Sequence, residues 1–198
     1  TPYQGRWRRT SRDLFAAASA RNTGIVHARH PYLVFVDDCA VPGPRWWASV
    51  RRGARHGEVL AGAYEKRFGM RVRDGRLVSS RRSDRSRDSR WALGDDRCPV
   101  PIPGASLYGS SFAAPRELLL AVNGLDELCD AIGGEDYQLG LRLEFAGARL
   151  YYDRSMLMIE SEELGRAGPS YARPGRVLDE DAYAERLERF GLHRRSTT

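Results

Sequence analysis

The stretch that most constrains the fold is residues 32–39, Tyr-Leu-Val-Phe-Val-Asp-Asp-Cys. Leu33 to Val36 is a short apolar run of mostly β-favouring residues that follows Pro31 and ends on two acids. Such a run reads as a strand buried on both faces, as in a parallel sheet. Asp37 and Asp38 then fall at the strand's carboxyl end, where open α/β sheets bind their ligands. Two adjacent carboxylates there suit a hard divalent cation holding phosphate oxygens. The same pair is compatible with an ordinary turn, since Asp is common after strands.

A chain of 198 residues is long enough to bury a real core, and one domain is the natural expectation. No apolar run approaches the ~20 residues of a membrane span. The formal charge is +6, and every basic residue except Lys66 is arginine. Guanidinium groups suit phosphate, but their even spread along the chain points to a coding bias. The 3 cysteines, Cys39, Cys98 and Cys129, have neither metal-type spacing nor the pattern of a disulfide framework. They fit a reducing, cytoplasmic setting, including a peripheral place at the inner membrane face.

Residues 12–28 have a helical pattern, with Gly24 marking a break. Trp46-Trp47 opens a helix toward Arg55, and residues 58–64 read as a second buried strand. Residues 70–79 alternate around Asp74-Gly75, a hairpin signal. Residues 79–97 are an Arg/Ser tract with little to bury, read as a mobile loop. Its acids Asp84, Asp88, Asp95 and Asp96 dilute the charge, so no nucleic-acid partner is expected. Residues 105–113 form another expected strand, and Pro115 suits the first turn of a helix over 116–122 that Gly124 ends. Short strands are expected over 148–152 and 156–159, and a surface helix over 179–190. Strands alternating with helices indicate an α/β layered sheet.

The second informative stretch is Gly133-Gly134-Glu135-Asp136-Tyr137-Gln138-Leu139-Gly140-Leu141-Arg142-Leu143. It predicts a helix to about residue 146, stopped by Gly147. The glycines allow close approach of backbone to a ligand. Glu135 and Asp136 fall in the first turn, where the helix dipole favours ionised carboxylates. Acids are also ordinary at helix N-termini.

Taken together, these motifs resemble the family 2 glycosyltransferases of the GT-A fold, from about residue 12 to 160. Ala20-Arg21-Asn22-Thr23-Gly24-Ile25 resembles the family's ARNxGI segment, and Phe35-Val36-Asp37-Asp38-Cys39 its aspartate motif. Tyr108-Gly109-Ser110-Ser111-Phe112, with Val122-Asn123-Gly124-Leu125-Asp126-Glu127, resembles its acceptor-side stretch. Gly134-Glu135-Asp136, followed by Leu139 and Arg142-Leu143, resembles its GEDxxLxxRL helix.

The resemblance implies a mixed, mainly parallel sheet flanked by helices in a single region, with its core over about 12–160 and a helical tail over 161–198. It implies transfer of a hexose, with inversion, from a nucleotide-sugar to a glycan, lipid-linked or other hydroxyl acceptor, as in polysaccharide biosynthesis. Asp38 would bind Mn²⁺ or Mg²⁺ at the donor diphosphate, with Asp37 beside it. Arg21, Asn22, Gly109, Ser110 and Gly134 would line the donor and substrate site. Asp136 would be the general base and Glu135 would assist with the acceptor. Glu160 stands where many relatives carry a metal-binding His, and Cys39 replaces a usual acid. The family's first strands, which hold the nucleotide base, have no counterpart here. The strand over 33–36 is therefore expected to be a sheet edge open to self-association. Other readings are a GT-A-like nucleotidyltransferase and a non-catalytic binding remnant.

Overall fold

The computed structural model describes residues 16–37, 40–94, 98–130 and 133–163. Asp38, Cys39 and the expected helix over 179–190 lie outside them. In chain order the elements are α1 (Ala17–His27), β1 (Tyr32–Val36), β2 (Ala40–Pro42), α2 (Trp46–His56), β3 (Val59–Arg73) and β4 (Arg76–Arg87). Then come β5 (Val100–Ile102), β6 (Ser111–Pro115), α3 (Arg116–Ala121), α4 (Glu135–Phe145) and β7 (Leu150–Ser161). Short 3₁₀ turns cover Ser89–Leu93, Gly104–Ser106 and Glu127–Cys129.

The strands form one seven-stranded sheet in the order β1-β6-β3-β7-β2, with β4 on β3 and β5 on β7. The expected mixed α/β sheet flanked by helices is present, but its parallel share is smaller than expected. Only β3 and β7 run parallel, and every other pairing among the described residues is antiparallel. One of these pairings is local: β3 turns back through Asp74-Gly75 into β4, and both turn residues take positive φ, as a tight hairpin requires.

Alternation along β3 divides the core. Val59, Ala61 and Ala63 face a cluster with Ile25, Phe112, Leu119, Leu139, Leu143 and Tyr152. Leu60 faces the other way, onto α2, with Trp46, Val50, Met156 and Met158. A period of two in the strand thus supplies both layers. Fully burying one leucine such as Leu139 contributes about 2 kcal/mol.

Three expectations are corrected. First, residues 76–87 are strand β4, and the 3₁₀ turn after it buries Arg90 and Asp88. The tract escapes being a loop because its backbone pairs with β3, which needs no apolar side chains. Second, β1 is half-buried rather than enclosed on both faces. It lies at the end of the described sheet order, so only β6 flanks it. Third, Gly24 does not break α1, because both ends of that helix are held by distant side chains. Asp130 accepts from the N–H groups of Ala18 at 2.8 Å and Ser19 at 3.2 Å. Arg116 donates to the carbonyls of Ile25 and Val26, each at 2.9 Å. A carboxylate at the N-terminus and a guanidinium at the C-terminus both complement the helix dipole.

Smaller differences follow the same logic. The two strands expected over 148–159 are one continuous β7, which shifts register against β3 between Gly62 and Tyr64. The strand expected from residue 105 begins only at Ser111. No helix among the described residues is long and apolar enough to cross a membrane.

Candidate active site

The candidate residues converge through Arg21. The helix α1, fixed at both ends, points this side chain past the end of β1. Its Nη1 donates to Glu135 Oε1 at 2.8 Å. Its Nη2 donates to Asp37 Oδ1 and to the Gly109 carbonyl, both at 3.1 Å. One planar guanidinium thus joins the first turn of α4, the end of β1 and the 107–110 segment. Only arginine has a rigid fork with donors enough for this. Gly109 is what lets it fit, since a Cβ there would stand 2.9 Å from Arg21 Nη1.

Two further bonds close the ring. The Gly109 N–H donates to Asp136 Oδ2 at 2.6 Å, and the Asp37 N–H donates to the Ser110 carbonyl at 3.3 Å. Asp136 Oδ1 also accepts from the Tyr137 N–H at 2.7 Å. Each carboxylate oxygen has a second lone pair, so Asp136 can still accept a proton. Gly134, with φ of 89°, starts α4 in the left-handed region and turns both acids toward the site. Ser110 Oγ is buried without a hydrogen-bond partner.

The electrostatics differ between the acids. The helix dipole was expected to favour the ionised form of Glu135. Instead, burial raises its carboxyl above the ordinary value, and Asp136 raises it further, against Arg21. Burial here outweighs the dipole because the side chain is almost enclosed. Glu160 lies at the far end of β7, where it is the register partner of Ala40. Burial pushes its carboxyl up to about 7, with the nearby Asp37 charge adding to the rise. Its Oε1 is buried and has no hydrogen-bond partner.

A buried, unpartnered carboxylate oxygen beside a second carboxylate fits a hard divalent cation, which would reverse the unfavourable charge. Asp38 falls between Asp37 and Ala40 in the chain but lies outside the described residues. Among the described residues, no group of three His, Cys, Asp or Glu side chains could hold a metal by itself. Asp37 and Glu160 would therefore need further ligands.

Asn22 departs from expectation. It is buried, its Oδ1 accepts from the Leu125 N–H at 2.7 Å, and its Nδ2 donates to the Leu125 carbonyl and Glu127 Oε1, both at 2.9 Å. Its amide clamps the segment after α3. Reading the sequence also missed Asp88 and Arg90. The Arg90 guanidinium lies between the rings of Tyr108, at 4.0 Å, and Tyr152, at 4.7 Å. It donates to Asp88, and to the carbonyls of Gly62 at 2.7 Å and Ser106 at 2.8 Å. This cluster supports the segment that bears Gly109. The Arg/Ser tract around it gave no sign, because one buried arginine among many looks like the rest.

A groove of about 530 Å³ runs along β1 and α1, lined by Arg21, Arg29, His30, Tyr32, Val34 and Phe35, among others.

The fold matches that of a solved structure described as GalNAc-T7 with UDP, GalNAc and Mn²⁺, at a TM-score of 0.62 and 15% identity. The fold is GT-A-like. The match takes in 92% of this chain and 36% of that one, so the chain spans about a third of its length. No family profile matches the sequence, and no curated protein does.

Proposed function

We propose that this GT-A-like chain is a metal-dependent glycosyltransferase that moves a sugar from a nucleotide-sugar to an acceptor hydroxyl, in the manner of family 2. The observation behind this reading is the Arg21 fork, which joins Asp37, Gly109 and Glu135 at the end of the sheet. Four segments that resemble glycosyltransferase motifs thereby form one site. The neighbouring structure's UDP, GalNAc and Mn²⁺ are consistent with this assignment.

Asp38 and Glu160 would hold Mn²⁺ or Mg²⁺, with Asp37 beside them. Bound there, the ion supplies charge neutralisation at the leaving diphosphate. The groove beside β1 receives the donor nucleotide, and its volume is within the range of ligand pockets. Asp136 takes the proton of the acceptor hydroxyl as that oxygen bonds to the anomeric carbon and the carbon–phosphate-oxygen bond breaks. Glu135, held by Arg21, positions the acceptor. The Gly109 N–H keeps Asp136 oriented.

The test is turnover of a nucleotide-sugar panel with Mn²⁺, in the parent and in Asp136→Asn. Loss of the base should lower kcat on the order of 10²-fold while donor binding stays unchanged. Equal turnover in both would remove Asp136 from the chemistry. No turnover of any donor by the parent would count against the whole reading.

A further inference from the structure

The outer ribbon of β3 and β4 runs away from the candidate site, which it meets at Lys66, the register partner of Glu160. From Lys66 to Arg82 it has seven basic side chains and one acid, Asp74, a balance of +6 that equals the formal charge of the whole chain. Strand register places like charges opposite one another twice, Arg67 across from Arg82 and Arg73 across from Arg76. Directly opposed like charges destabilise a ribbon. For the inner pair the fold supplies an anion: Glu65 Oε1 lies 2.9 Å from Arg67 Nε and 3.0 Å from Arg82 Nε. For the outer pair none is supplied among the described residues. Among the described residues, Arg71, Arg73 and Arg76 enter no ion pair. Next to them, Val72 is 50% exposed and Val78 60%.

We infer that this ribbon docks the protein on an anionic phospholipid surface. Guanidinium groups pair with lipid phosphates. Exposed aliphatic side chains among them can enter the boundary between headgroups and acyl chains. Clustered basic residues are drawn to a negatively charged leaflet. Single-stranded nucleic acid offers similar phosphates, but its binding draws on exposed aromatic platforms. The ribbon's one aromatic ring, Phe68, is covered by Arg81, whose guanidinium lies 5.6 Å from the ring centre. The inference is independent of the catalytic reading, because its readout involves no sugar transfer.

The test is co-sedimentation of the 198-residue chain with vesicles of equal parts phosphatidylglycerol and phosphatidylcholine, and with phosphatidylcholine alone. A fluorescent oligouridine RNA serves as the competing ligand. The parent should bind the anionic vesicles and not the neutral ones. The triple variant Arg71→Gln/Arg73→Gln/Arg76→Gln should bind them on the order of a hundredfold more weakly, since each lost charge removes part of the attraction. Circular dichroism checks its fold. Should that variant unfold, Val72→Ser/Val78→Ser decides, because it keeps the charge and should also weaken vesicle binding. The inference fails if the parent binds neither vesicle, if it binds both equally, or if the folded triple variant binds as the parent does. RNA binding that the triple variant loses, without vesicle binding, would assign the ribbon to nucleic acid instead.

Discussion

Arg21 and Glu135 stand 114 positions apart in the chain, and their side chains meet at 2.8 Å. The contact is almost enclosed, with side-chain exposures of 13% and 8%. It ties the helix α1 to the first turn of α4 at the place where the candidate site forms.

Arg21→Lys should therefore be more damaging than a conservative exchange suggests. Lysine keeps the charge but cannot reach Glu135, Asp37 and the Gly109 carbonyl together. The expected loss of stability is about 1–3 kcal/mol, because Glu135 stays buried with poorer compensation. Urea denaturation measures this, and calorimetry with a nucleoside diphosphate and Mn²⁺ should show weaker binding. A lysine variant equal to the parent in both would mean that the fork organises nothing.

Glu160→Gln should separate stability from metal binding. The Glu160 carboxyl is raised from an ordinary 4.5 to about 7 in the folded chain. The folded state therefore holds the proton more tightly than the unfolded one. The stability linked to that proton is fully present below pH 4.5 and is lost as pH rises through about 7. At pH 8 without metal, the glutamine variant should be the more stable by on the order of 2–3 kcal/mol. With Mn²⁺ the order should reverse, since only the parent gains the ion. Thermal melts at pH 5 and 8, with and without Mn²⁺, check both. Identical pH dependence in parent and variant would discard the buried carboxyl as the cause.

Asn22→Ala should affect the fold and not the donor. Its amide satisfies both backbone groups of Leu125 inside the protein. Leaving buried groups unpaired costs about 1–3 kcal/mol each. The denaturation midpoint should fall while donor affinity of the folded fraction is unchanged. A selective loss of donor affinity would restore Asn22 to the binding residues.

The contrast between Asn22 and Arg21 shows what a sequence can and cannot reveal here. Both sit in one recognisable segment, which lies at the candidate site. Which of two adjacent polar side chains turns toward Asp37 and Glu135 depends on the rotation of α1. That rotation is set by Asp130 and Arg116, about a hundred positions away, with no local signal. Some strands and turns were readable where a pattern met a turn residue, as at β1 after Pro31, the Asp74-Gly75 turn and the start of α4 after Gly134. Strand β4 was not, because backbone pairing holds it and its side chains look like those of a solvated loop. The unpartnered oxygen of Glu160 belongs to the same class: an acid at a strand's end looks alike in sequence whether buried or exposed.

The Asp88–Arg90 pair offers the most demanding check on the supporting structure. Both side chains are buried, at 0% and 3% exposure, and Nη2 lies 2.7 Å from Asp88 Oδ2. Asp88 also accepts from the Arg90 N–H at 2.9 Å. Removing the guanidinium alone, in Arg90→Met, would leave Asp88 charged in a dry place and should cost about 3–5 kcal/mol. Neutralising its partner as well, in Asp88→Asn/Arg90→Met, removes that uncompensated charge. The double variant should then be more stable than Arg90→Met, although it carries one more substitution. Both variants lose the stacking of Arg90 on Tyr108, so both should bind nucleoside diphosphate and Mn²⁺ more weakly than the parent. Urea denaturation of the three proteins, followed by calorimetry on the folded ones, separates the two effects. A double variant less stable than Arg90→Met would show that the bonds Asp88 accepts from the Tyr64 and Arg90 N–H groups, and not relief of its uncompensated charge, dominate at this segment.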